Sequence, residues 1–64
     1  MNLDKLRGKI TENRMSQAKL AEELGLSSKA LNEKLTGKSR ITIPEAALMI
    51  KILKIEHPCE IFFD

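Results

Sequence analysis

Between Gln17 and Gly37 the chain reads QAKLAEELGLSSKALNEKLTG, and no other stretch restricts the fold as much. Ala18, Leu20, Ala21 and Leu24 recur at helical spacing, and Gly25 follows at once. Glycine adopts the left-handed φ that ends a helix without a Cβ penalty. Leu26 comes next, then Ser27, whose hydroxyl can accept from an orphan N–H at the start of a second helix. That helix is expected to bury Ala30, Leu31 and Leu35 and to turn Ser28, Lys29, Asn32 and Glu33 outward. A helix, a short turn with glycine and a second helix form a known supersecondary unit. The small side chain of Ala21 suits the point where the two helices cross.

The flanking segments supply the cover such a pair needs. Leu3, Leu6 and Ile10 predict a first helix from Leu3 to about Glu12, with Asn2 as its cap and Asp4 at the positive end of its dipole. Gly8 weakens that helix by up to about 1 kcal/mol relative to alanine, and close helix packing is one reason to carry it. Ser16 suits the cap of the next helix, with Met15 placed to pack back on Leu20. After the polar loop TGKSRI, Thr42-Ile-Pro-Glu45 matches a capping box with proline in the first turn. A fourth helix is expected to run to about Lys54 and is apolar nearly all round, which predicts burial on more than one side. Pro58 can open a short fifth helix.

Sixty-four residues are expected to form one domain. A chain of this length buries only about 60% of the surface its unfolded form exposes, so a deep pocket with catalytic apparatus is not expected. No Ser–His–Asp set, paired carboxylate cleft or Gly-rich phosphate loop is present, so binding is expected rather than catalysis, with no cofactor. The single Cys59 excludes an internal disulfide, and with only His57 beside it no metal site is expected. The N-terminus lacks the apolar core of a signal peptide. The stretch from Ile41 to Ile50, which contains Pro44 and Glu45, is far too short to span a bilayer. A cytoplasmic protein without membrane contact is the expectation.

The net charge of +2 says little by itself, but its distribution is uneven. Lys29, Lys34, Lys38 and Arg40 stand against Glu33 alone, a local +3, whereas residues 41–64 carry a local −2. A basic patch of this kind is what phosphate contact requires.

Taken jointly, Q-A-x-L-A-x-x-L-G, S-S-x-A-L and the Gly-Lys that follows closely resemble the Cro/repressor helix-turn-helix family of phage and bacterial transcriptional regulators. The resemblance runs from about Leu3 to Leu53. It implies an all-α, lambda-repressor-like bundle of about five short helices that binds double-stranded operator DNA as a homodimer, with no small-molecule substrate. The outward residues of the second helix of the pair would then enter the major groove. Lys29 can donate to guanine and Asn32 can bond bidentately to adenine, while Ser28 can serve donors or acceptors. Glu33 can accept from cytosine or pair with Lys29 one turn earlier, and the residues leave both open. Gln17 resembles the family's backbone-anchoring glutamine; Ser27, Thr36, Lys38, Ser39 and Arg40 flank the reading helix as candidate phosphate contacts.

Two departures stand out. Lys34 occupies a position often apolar in the family, and Leu35 one often acidic or polar, which predicts a helix slightly rotated about its axis. Arg14 and Lys19 are weaker phosphate candidates; Lys5, Arg7, Lys9, Lys51 and Lys54 read as solvent-facing. Surplus apolar residues predict a self-association face of Met49, Ile52, Ile55, Phe62 and Phe63. An antitoxin that binds its own promoter and a toxin fits the same residues. A protein-interaction module without DNA contact fits less well, because of the basic TGKSR loop.

Overall fold

The computed structural model describes residues 1–63, and among them are five helices and no strand. They are α1 (Leu3–Glu12), α2 (Gln17–Leu24), α3 (Ser28–Leu35), α4 (Ile43–Ile52) and α5 (Pro58–Phe62). Each of the first four begins at a side-chain cap expected from the sequence. Asn2 accepts from the Lys5 amide, Ser16 from Lys19 and Ser27 from Ala30. Thr42 and Glu45 close a reciprocal capping box, in which the Thr42 amide donates to Glu45 Oε1 at 2.8 Å and the Glu45 amide to Thr42 Oγ1 at 3.3 Å.

The same four helices also stop in one way. Each is followed by a residue at positive φ, namely Arg14, Gly25, Gly37 and Lys54. The next amide then donates back five residues: Met15 to Ile10, Leu26 to Ala21, Lys38 to Glu33 and Ile55 to Ile50. This closure satisfies carbonyls that the end of a helix otherwise leaves unpaired. Glycine is the residue suited to it, and the sequence marks Gly25 and Gly37. Arg14 and Lys54 adopt the left-handed region against a cost of about 1–2 kcal/mol each. The closure at Lys54 also explains why α4 ends at Ile52, two residues before the expected end.

One core joins all five helices. Leu6 and Ile10 come from α1, Leu20 and Ala21 from α2, and Leu31 and Leu35 from α3. Met49 and Leu53 close it from the α4 side, with Ile55, Ile61 and Phe62 from the end of the chain. Polar side chains and one backbone bond tie helix ends together around it. The Asn13 amide group donates to Lys9 O at 2.8 Å and to Leu53 O at 3.0 Å, linking the ends of α1 and α4. The Asn2 N–H donates to Ile61 O at 2.7 Å, fixing the N-terminus against α5. Arg7, expected to face solvent, is half-buried; its guanidinium pairs with Asp4 and donates to Leu35 O, the last carbonyl of α3.

The expected self-association face is corrected by this packing. Met49, Ile55 and Phe62 are buried within the chain itself, because α4 and the last turn point them into the common core. Ile52 is half-buried and packs against that core, so only Phe63 of the five is exposed. The large apolar residues that do face outward are Met1, Ile43, Leu48 and Phe63. α4 is thus buried on one side, not on several. Ala30 is likewise only half-buried, whereas Leu31 and Leu35 are fully enclosed.

Gly8 has no packing reason. A Cβ built there meets no atom within 4 Å, and the backbone is helical. Gly8→Ala is expected to stabilise the protein by about 1 kcal/mol through helix propensity and a less flexible unfolded chain. Urea denaturation should show a higher midpoint with an unchanged slope.

Candidate nucleic-acid interface

The outward side of α3 is set by its inward side. Full burial of Leu31 and Leu35 fixes the rotation of the helix, and Ser28, Lys29 and Asn32 then lie exposed. Their side chains form no hydrogen bond or ion pair among the described residues, so their donors and acceptors remain available. Glu33 is half-buried. Of the two roles left open for it, the internal one is not adopted: no ion pair joins Glu33 to Lys29 among the described residues.

The flanking candidates divide by what their side chains already do. Gln17 is the first residue of α2, the helix packed against α3, and is exposed. Ser27 Oγ accepts from the Ala30 amide at 3.1 Å, which leaves its hydroxyl proton free to donate. Thr36 differs. Its hydroxyl donates to Asn32 O at 2.9 Å, so its proton is committed inside the last turn of α3. Lys38, Ser39 and Arg40 are exposed on the loop beyond that turn, with no side-chain partner among the described residues.

That loop is held by bonds at both ends. The amides of Lys38 and Ser39 donate to Glu33 O at 2.9 and 3.2 Å. At the far end, Lys34 Nζ donates to Arg40 O at 2.8 Å and lies 3.0 Å from Glu45 Oε1. The Lys34 and Glu45 side chains are only 13% and 17% exposed. Lys34 therefore does not contribute outward charge, and the local +3 read from the sequence is smaller at the surface. The outward cations are Lys29, Lys38 and Arg40. Sequence reasoning missed the ion pair because its partners lie eleven positions apart on different helices; the capping-box motif marked only Glu45.

The titration of Glu45 is clearly displaced. Burial alone would push its carboxyl up, but the Thr42 N–H, the Lys34 ammonium and the Thr42 hydroxyl together hold it below the ordinary value of 4.5. Such a shift favours the ionised form in the folded state.

Among the described residues, no group of three or more His, Cys, Asp or Glu is arranged to hold a metal ion. None of the helices is long and apolar enough to cross a membrane. No family model, curated protein or solved structure matches the chain.

A depressed carboxyl stabilises the fold above its unfolded pKa and loses that contribution as pH falls through the folded value. Wild type should therefore exceed Glu45→Gln in stability at neutral pH, with the gap narrowing as pH drops below 4.5. Thermal melts of both proteins from pH 7 to pH 3 check this.

Proposed function

We propose that this protein is a sequence-specific DNA-binding transcriptional regulator of the Cro/repressor kind, with α2 and α3 as its helix-turn-helix. The observation that carries the reading is the two-sidedness of α3. Leu31 and Leu35 lock one side into the core, while Ser28, Lys29 and Asn32 stand exposed and unbonded on the other. Such a helix can enter the major groove without breaking any internal contact. Lys29 offers a point charge to guanine and Asn32 a donor–acceptor pair to adenine. Lys38, Ser39 and Arg40, with Gln17 and the Ser27 hydroxyl, would hold the backbone; these contacts place the helix and carry no sequence information.

A second copy would complete the reading unit. In place of the buried Met49 and Ile55, the face for it is a groove of about 170 Å³ bordered by Met1, Ile43, Ala47 and Phe63, with the largely buried Phe62 in its wall. Ile43 is 83% exposed and Phe63 75% exposed. Ile43 follows directly on the loop that carries the outward cations. Self-association there would set the spacing between two reading helices, as recognition of a near-palindrome requires.

Binding to duplex of random sequence should fall with salt at a log–log slope of about −0.9 per phosphate neutralised. On sites selected from a random library, Asn32→Ala should relax discrimination at one base pair, a loss of about 1–3 kcal/mol there. Lys38→Ala should weaken all sequences about equally. A flat salt response in the wild type would remove the DNA-binding reading, and equal effects of both variants at every site would remove the division of roles. Ile43→Glu should leave the monomer folded while abolishing cooperative occupancy of paired half-sites, read by band shift on one and two half-sites.

A further inference from the structure

The four left-handed helix ends differ in one respect. After α1, α2 and α4, the residue following the left-handed position is apolar: Met15, Leu26 and Ile55, all packed on or in the core. An apolar residue there pins the direction in which the chain leaves the helix. After α3 the corresponding residue is Lys38, which is exposed. The loop carrying the outward cations thus leaves its helix without the anchor that the other three possess.

What it has in exchange is Lys34. This ammonium projects from the last turn of α3, donates to Arg40 O at 2.8 Å and pairs with Glu45 at 3.0 Å. The same Glu45 Oε1 accepts from the Thr42 N–H at 2.8 Å. One largely covered cation therefore joins the end of α3, the far end of the loop and the cap of α4.

We propose that Lys34 is a positioning residue for the DNA interface. It does not touch nucleic acid; it holds the 36–41 backbone in place before binding, so that position 38 can carry a cation instead of an apolar anchor. Ordering the loop in the free protein lowers the entropy lost when Lys38, Ser39 and Arg40 meet phosphates. This inference rests on the DNA-binding reading above.

The test compares Lys34→Met, Lys34→Arg and Lys38→Met in the full chain. In free protein, Lys34→Met should speed amide exchange at Lys38 and Ser39 by about tenfold or more, with the Leu31 amide unchanged. Its affinity for random-sequence duplex should fall about tenfold, with the salt slope unaltered. Lys38→Met should do the reverse, reducing the slope by about 0.9 per bound copy and leaving exchange at Ser39 alone. Lys34→Arg, which keeps the charge, should restore both loop protection and affinity.

A reduced slope for Lys34→Met would mean direct phosphate contact and would overturn the proposal, as would unchanged exchange at Lys38 and Ser39. If the wild type fails to bind duplex, the regulator reading falls and the positioning role with it, whatever the exchange data say of the loop. Should Lys34→Met not fold, Glu45→Gln, which retains an acceptor for the Thr42 N–H, is read in the same two ways.

Discussion

Burial of Leu31 and Leu35 is the constraint on which the rest of this small protein depends. Fully burying a leucine contributes about 1.5–3 kcal/mol, and a single core of this size supplies only about 3–5 kcal/mol in net stability. Turning α3 about its axis would therefore forfeit most of what keeps the chain folded. The outward residues of α3 are fixed as a by-product of that packing. Lys34 refines the point. It sits beside the apolar stripe without joining it, with its side chain mostly covered and its charge satisfied by Glu45 and Arg40 O. The departure at positions 34 and 35 is thus accommodated by an ion pair at the edge of the core.

How much was legible in the sequence depends on whether the signal is local. Caps at Asn2, Ser16, Ser27 and Thr42 act within three residues, and all four were readable from residue type and spacing. So was the end at Gly25, while Gly37 was read only as part of the loop after α3. The ends at Arg14 and Lys54 were not, since nothing in a neighbouring residue marks a basic side chain for the left-handed region. Their conformation follows from packing of Met15 and Ile55, one residue further on. The exposed polar face of α3 was legible for the same reason as the caps, because helical spacing alone separates 28, 29 and 32 from 31 and 35.

The apolar face was misassigned for a physical reason as well. A helix with Ala46, Ala47, Leu48, Met49, Ile50 and Ile52 in succession carries no periodic contrast, so spacing cannot say which side meets the core. Met49 went inward, while Leu48 and the leading Ile43 stayed out. Phe62 and Phe63 were separable only as a pair, one in and one out. Likewise, nothing near Arg7 indicates that its partner is a carbonyl 28 positions away.

Helices of eight to ten residues have a large share of their carbonyls at an end, where no intrahelical donor reaches them. Part of the chain's positive charge meets that need. Arg7 reaches the last carbonyl of α3, where the negative end of the helix dipole favours a cation; Lys34 is bound instead to a loop carbonyl, that of Arg40. Net charge is accordingly a poor guide to the field at the surface, because some of it is bound into the structure. The arrangement also couples two surfaces. Ile43, the most exposed apolar residue of α4, lies between Thr42 and Glu45, the two members of the capping box to which Lys34 is tied. The loop bearing Lys38 and Arg40 and the apolar groove beside Ile43 are therefore joined by one short stretch of backbone, which the Lys34 contacts tie to the end of α3.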